Sequence, residues 1–185
     1  MDKEPNSKKR AMMNVLRISE KKWLLERALR LKKYKNIFIE ECLPLSSTVS
    51  IMFFDEIMYD YVYGAYVSCI VMCHLVCMEV LKAPFSVGLD EKLFTCGFSE
   101  LIMENKKRGW IDNELEKDLI RLNKTRNNLA HSKSSKKVIK KLDMGDYTLA
   151  KLYDPNFYSK LEREAIFAMK LVHTMICDTR LRFAP

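Results

Sequence analysis

The sequence predicts an all-α fold, an up-and-down bundle of four to five helices. Apolar residues recur at spacings of three and four over most of the 185 residues, which is the period of helices with one buried face. Glycine and proline are few, at five each. Only the segment YTLAKLY, residues 147–153, could be extended, and one such segment makes no sheet. With 48% hydrophobic residues, the chain is long enough for one core and short for two.

The first two helices follow from where apolar residues and helix breakers fall. We expect a basic N-terminal extension over residues 1–19 and a single helical domain over residues 20–185. Lysines and arginines alternate with apolar positions over residues 16–39, which predicts a basic amphipathic helix that Pro44 ends. The apolar residues over 49–81 then predict a single second helix.

The apolar run between Asp60 and Glu79 could be mistaken for a membrane span because it is about 18 residues long. His74 lies in the middle of this run, together with several tyrosines and cysteines. These residues favour the central helix of a bundle, so we expect no membrane insertion. His74 is then expected to be a core histidine with a local hydrogen bond.

Glycine, proline and aspartate mark the boundaries of the later helices. Pro84 and Gly88 predict a turn. The next helix is predicted over residues 90–107, with Asp90 as its cap and Gly109 as its stop, and another helix is predicted from Asp112. A last helix is predicted over residues 156–181, and His173 within it is expected to be structural.

The six cysteines are predicted to be free thiols, because no secretory signal is recognisable and the expected location is the cytoplasm. Cys69, Cys73 and Cys77 would line one helical face with His74 beside them. A metal site there is conceivable, but it would need a fourth ligand from elsewhere. We therefore expect buried small side chains, with no metal and no cofactor.

The net charge of +8 is spread unevenly along the chain. Residues 1–35 hold 12 basic against 4 acidic residues, residues 36–105 hold 2 against 10, and residues 106–141 hold 12 against 4. Basic segments attract phosphate backbones or anionic membranes, and they also occur as ordinary solvated surface. The second basic segment is the more informative one because it contains the motif described next.

The helix that starts at Asp112 places an arginine among leucines. Its apolar residues follow steps of four, three and seven, and Arg126 divides the step of seven into four and three. A guanidinium on that stripe must reach a carboxylate, a carbonyl or a phosphate, because an unpaired buried charge costs several kcal/mol. We expect the stripe to face a second chain. Its leucines are Leu115, Leu119, Leu122 and Leu129.

Asn127 and His131 are four residues apart and share a helical face, so the amide can orient the imidazole. Arg126 and His131 are five apart and diverge by about 140° on a straight helix. They can converge only if the helix ends or bends near Ala130, or if a second copy completes the pair. A homodimer is therefore expected.

The segment RNNLAH, residues 126–131, resembles the signature of the HEPN superfamily, an arginine followed after four to six residues by a histidine. The EVLK segment, residues 79–82, is similar to a Glu-x-x-Lys element of the preceding helix in that family. The resemblance covers residues 49–181, and its specific part is six residues long. It implies a metal-independent endoribonuclease of the toxin or antiviral type, working as a homodimer with an antitoxin or effector protein as a possible partner.

The resemblance implies roles for three residues. His131 would take the proton of a ribose 2′-OH, Arg126 would clamp the phosphate, and Asn127 would hold the imidazole or contact the phosphate. The lysines expected to track the RNA backbone are Lys124, Lys133, Lys136 and Lys137.

One departure from the family pattern is present, and two alternatives stay open. Lys133 stands where nucleotidyltransferase-paired HEPN toxins usually have tyrosine, which puts tyrosine modification in doubt. The chain could be a non-catalytic HEPN-like module that binds a protein, a nucleotide or nucleic acid, with Arg126 and His131 bonded inside the bundle. The basic helix near residues 17–38 could associate with a membrane surface.

Overall fold

The computed structural model describes residues 4–38, 48–86, 95–130 and 155–177. These residues form six helices and no strand, which confirms the all-α class. The helices are α1 (Glu4–Ile37), α2 (Thr48–Tyr63), α3 (Tyr66–Ser86), α4 (Phe98–Lys107), α5 (Asn113–Ala130) and α6 (Pro155–Cys177).

The α3 helix is the centre of the fold. It packs against α2, α4, α5 and α6, while α1 lies on α2 and touches α6. Fully buried side chains from every helix after α1 meet around it, and each stabilises the fold by about 2 kcal/mol. The largest are Tyr61, Ile57, Ile70, Leu81, Leu101, Ile102, Leu119, Leu122, Met169 and Met175.

The predicted single second helix is wrong, because the chain turns at Gly64 and divides it into α2 and α3. Gly64 has φ +81°, a conformation that side-chain-bearing residues rarely adopt. Its N–H donates to the Tyr61 carbonyl at 3.1 Å, and the Ala65 N–H donates to the Asp60 carbonyl at 2.7 Å. These two bonds form a Schellman motif that ends α2. A Cβ at Gly64 would also meet the hydroxyl of Tyr158, which donates to the Gly64 carbonyl at 2.8 Å.

The predicted break at Pro84 is also wrong, because α3 continues through this residue to Ser86. Proline removes one backbone donor, but here the loss falls in the last turn of the helix. Pro84 and its neighbour Phe85 are buried, and the Phe85 ring packs on Trp110 at 5.1 Å between centroids. This packing favours a continued helix. The expected turn residue Gly88 lies outside the described residues.

The helix predicted over residues 90–107 is shorter than expected. Residues 95–97 are not helical, and α4 begins at Phe98. The backbone N–H of Gly97 donates to the Glu100 carboxylate at 3.0 Å, which fixes this start. Asp90, the expected cap, lies outside the described residues.

Two predicted boundaries are confirmed. Gly109 ends α4 with φ +74° and donates its N–H to the Lys106 carbonyl at 3.0 Å. Asp112 caps α5, since its Oδ1 accepts the N–H of Glu114 at 3.1 Å and that of Leu115 at 2.9 Å. The aspartate satisfies two donors that the first turn of any helix leaves without a partner.

The two ends of the described chain bear on other predicted bounds. The α1 helix begins at Glu4, so the division expected between residues 19 and 20 falls inside one helix. The α6 helix begins at Pro155, one residue before the predicted start, and is described as far as Cys177. The segment 147–153 lies outside the described residues, and the domain division stays a prediction.

The three-cysteine face and the apolar run belong to the same helix. The side chains of Cys69, Cys73 and Cys77 are fully buried, as expected of small core residues, and burial raises the pKa of the Cys73 and Cys77 thiols.

Within the described residues, no three His, Cys, Asp or Glu side chains lie close enough to hold a metal ion. By length and composition, the stretch Tyr66–Phe85 is the one described helix apolar enough to cross a membrane, and 44% of an 18-residue segment within it is buried inside the protein.

Candidate functional site

The leucine stripe of α5 packs into the core of its own chain. Leu115, Leu119 and Leu122 are buried, and α5 contacts α3, α4 and α6. The expectation that this stripe faces a second chain is therefore wrong for these leucines. Arg126 lies one turn further along, where burial becomes partial. A cation is tolerated there because the guanidinium keeps some contact with water.

The Arg126 side chain is held by an amide. Its Nη1 donates to Asn127 Oδ1 at 3.0 Å, and the Asn127 Nδ2 donates to Asn123 Oδ1 at 3.3 Å. An amide carbonyl is one of the three kinds of partner expected for this guanidinium. Among the described residues, Arg126 has no carboxylate partner, so its positive charge is not neutralised there.

Asn123 is the centre of a network that joins three helices. Its Oδ1 lies 3.3 Å from His74 Nε2 on α3, and its Nδ2 donates to Ser99 Oγ on α4 at 2.9 Å. We call the four side chains His74, Asn123, Asn127 and Arg126 the amide relay. Asn123 is not among the site residues predicted from the sequence. Its place four residues before Asn127 was the available signal, since residues four apart share a helical face.

His74 forms the buried end of the amide relay. Its side chain is 5% exposed and its ring packs on Phe98 at 4.2 Å between centroids. Burial lowers the pKa of His74 below the ordinary 6.5, the hydrogen bond to Asn123 acts in the opposite direction, and the charge of Arg126 lowers it again. The imidazole is therefore neutral at pH 7.

The tautomer of His74 follows from its partner. The Asn123 carbonyl oxygen is an acceptor, so the proton lies on His74 Nε2. Nδ1 is buried and has no hydrogen-bond partner among the described residues. The expectation of a core histidine is confirmed, but its hydrogen bond comes from another helix and is not local. Because the ring is buried, it has no access to a substrate.

The remaining predicted site residues divide into two groups. Lys124 is exposed on α5, where it can meet a ligand from solvent. The others lie outside the described residues, so their predicted roles stay predictions; they are His131, Lys133, Lys136 and Lys137. The structure thus brings Arg126 and Asn127 together directly.

Two ion pairs lie on elements next to the amide relay. In the EVLK segment, Lys82 Nζ lies 3.0 Å from Glu79 Oε1, one turn apart on α3. On α5, Arg121 lies 2.9 Å from Glu164 of α6, and its guanidinium is 3.8 Å from the centroid of Phe167. Arg121 is thus neutralised by a carboxylate, whereas Arg126 on the same helix is held by a neutral amide. Of these two arginines on α5, Arg126 is the one without a carboxylate partner among the described residues.

The chemistry open to Arg126 is that of an anchored guanidinium. It carries five N–H donors in a planar fork, which suits two-point binding of a phosphate. Asn127 fixes one edge of the fork, and Asn123 in turn fixes Asn127. Such orientation lowers the entropy that binding an anion would cost.

No protein-family model, curated protein sequence or solved structure matches this chain.

Proposed function

We propose that the chain is a metal-independent endoribonuclease of the toxin or antiviral-defence type, active in the cytoplasm as a homodimer. The observation that supports this most directly is Arg126, a partly buried guanidinium oriented by an amide and without a carboxylate partner among the described residues. In sequence it stands five residues before His131, in the Arg-Asn-x3-His order of HEPN ribonucleases.

The proposed reaction needs a base and a cation. His131 takes the proton from a ribose 2′-OH, and the 2′-oxygen attacks the adjacent phosphorus. The bond to the 5′-oxygen breaks, that oxygen gains a proton from water, and a 2′,3′-cyclic phosphate remains. Arg126 stabilises the negative charge that builds on the phosphoryl oxygens, and Asn127 keeps the guanidinium in place. Lys124 contributes non-specific attraction to the RNA backbone.

The test is cleavage of a fluorescent single-stranded RNA in the presence of EDTA. We expect Arg126→Ala and His131→Ala each to lower the cleavage rate by about 100-fold or more, because each removes a group that acts in the transition state. Arg163→Ala, which removes an exposed arginine from α6, is the matched control and should cleave normally. Circular dichroism verifies that each variant keeps its helices. Cleavage by His131→Ala at the wild-type rate, or a requirement for a divalent ion, would contradict the proposal.

One observation favours a second candidate, a non-catalytic binding module. The amide relay is closed within the chain, since the guanidinium already donates to Asn127 and the imidazole of His74 is buried. A module that binds RNA or a protein needs no more than this. Wild-type protein that binds the RNA without cutting it, with affinity lost in Arg126→Ala, would favour this candidate over the enzyme.

A further inference from the structure

The first two helices carry stripes of exposed residues with the same spacing, although one face of Tyr63 also contacts Arg27 of the same chain. On α1 the α1 stripe consists of Ile18, Lys22, Leu25 and Leu29, at steps of four, three and four. On α2 the α2 stripe consists of Met52, Glu56, Tyr59 and Tyr63, at the same steps. The six apolar members are 47% to 69% exposed. This is the a and d spacing by which two helices pack along a seam.

The rotation of α1 about its axis is fixed by contacts on its other side. The Arg27 guanidinium lies between two rings, 4.5 Å from the centroid of Trp23 and 3.8 Å from that of Tyr63. Arg30 Nη1 donates to the Val62 carbonyl at 2.8 Å. Because these contacts hold the inner face of α1 on α2, the α1 stripe cannot turn inward without breaking them. Its leucines therefore stay on the side of α1 that faces away from α2.

The two stripes have opposite charge. Between Arg17 and Lys35 there are eight basic and two acidic residues, whereas α2 has three acidic residues and no basic one. Burial and then the nearby Glu56 carboxylate raise the pKa of Asp60, which lies one turn after Glu56 on α2. Lys22 is the second residue of the α1 stripe, and Glu56 is the second residue of the α2 stripe. Neither has an ion-pair partner among the described residues.

We infer that the α1 stripe of one copy of this chain packs against the α2 stripe of a second copy. When the stripes align end to end, Lys22 and the partner's acidic position fall within one helical turn of each other, whichever way the helices run. The lysine side chain spans that distance. The apolar members fill the layers on either side of the charged pair, as in a coiled-coil seam with one polar layer.

A second copy of the chain could cover both stripes, whereas each of the other binding partners would cover only one. An anionic lipid surface or an RNA backbone would suit the basic α1 stripe. The same phosphates would be repelled by the three carboxylates of α2. A seam between copies buries the exposed tyrosines of α2 and the exposed leucines of α1 together. Each copy carries both stripes, so two copies can pair reciprocally or further copies can add in series.

The test uses charge reversal and mixing. Lys22→Glu places acidic residues on both stripes, and Glu56→Lys places basic residues on both. We expect wild-type protein to associate in a concentration-dependent way in sedimentation velocity, and each variant alone to remain monomeric over the same range. An equimolar mixture of the two variants should associate again, because every seam between unlike copies then pairs opposite charges. Lys170→Glu and Glu20→Lys, which make the same changes of charge at exposed positions off the stripes, should associate like wild type.

The outcomes separate this inference from its alternatives and from the proposed function. Association of either variant alone at the wild-type level, or a mixture that stays monomeric, would overturn it. A wild-type monomer that binds vesicles containing anionic phospholipid would assign the α1 stripe to a lipid surface instead. RNA cleavage is measured on the same samples. Cleavage by monomeric variants would separate the seam from catalysis and contradict a requirement for this dimer, whereas Arg126→Ala should lose cleavage while associating normally.

Discussion

Two of the described residues, Asn105 and His74, have buried polar side chains whose hydrogen bonds lead to different parts of the molecule. Asn105 on α4 is fully buried, and its Nδ2 donates to the Leu81 carbonyl at 3.1 Å and the Leu101 carbonyl at 2.8 Å. These bonds end on backbone inside the core. His74 bonds Asn123, and from there the amide relay runs to Arg126 at the surface. Burial and hydrogen bonding alone therefore do not distinguish a structural residue from one that supports a site, but the destination of the network does.

The largest effect in this comparison is expected for Asn105→Ala. The change leaves a cavity in the core and removes two hydrogen bonds, one to Leu81 that ties α4 to α3 and one to Leu101 within α4. We therefore expect the free energy of unfolding to fall by about 2–3 kcal/mol. For a chain of this size, the melting temperature should fall by about 5–10 °C. RNA cleavage well below the melting temperature should be unchanged. The control is Asn113→Ala, at an exposed asparagine, and equal melting temperatures for the two variants would contradict the structural role of Asn105.

A smaller effect on stability, with an additional effect on activity, is expected for Asn123→Ala. The variant lacks the side chain that hydrogen-bonds His74, Ser99 and Asn127, so the free energy of unfolding should fall by about 1–2 kcal/mol. It also frees Asn127, so Arg126 is held less firmly and cleavage should slow by about tenfold. Thermal denaturation and RNA cleavage on one preparation check both effects. If Asn123→Ala loses stability but cleaves like wild type, then the amide relay does not support the site.

The smallest effect is the pH dependence from His74. Its pKa is lowered in the folded protein, so the unfolded chain binds a proton more readily, and stability is lost as pH falls through 6.5 and below. Between pH 7.5 and 6.0, this loss should stay below about 1 kcal/mol. His74→Phe removes the titrating group and keeps a ring against Phe98. Urea denaturation of both proteins at the two pH values should show a larger loss for wild type, and equal losses would rule out His74 as the cause.

The helix ends that the sequence predicts correctly depend on the backbone chemistry of single residues. Gly109 and Asp112 mark helix ends because a positive φ and a side-chain cap are local properties. Gly64 uses the same chemistry, but the apolar residues on both sides of it suggested one unbroken helix. At Pro84 the opposite error occurs: the sequence predicts a break, but α3 continues, because a proline in the last turn of a helix removes only one hydrogen bond.

The candidate site was predictable only in part. Arg126 and Asn127 were recognised from their order in the sequence, and the structure joins them by a hydrogen bond. Asn123 was not recognised, because its partners Ser99 and His74 are 24 and 49 residues away along the chain. The spacing of four from Asn127 places Asn123 on the same helical face, but its contacts with the other two helices cannot be read from the periodicity of one helix. The roles of His131 and the lysines that follow it remain predictions.

The corner at Gly64 also places a constraint on how the chain is made. Four helices meet there, since Arg30 of α1 donates to the Val62 carbonyl and Tyr158 of α6 donates to the Gly64 carbonyl. Translation delivers α1 and the corner before α6, since Tyr158 leaves the ribosome nearly a hundred residues after Gly64. The corner therefore emerges incomplete, with the apolar α3 uncovered until α6 follows. A nascent chain of this protein depends on α6 to close the corner that α2 and α3 begin.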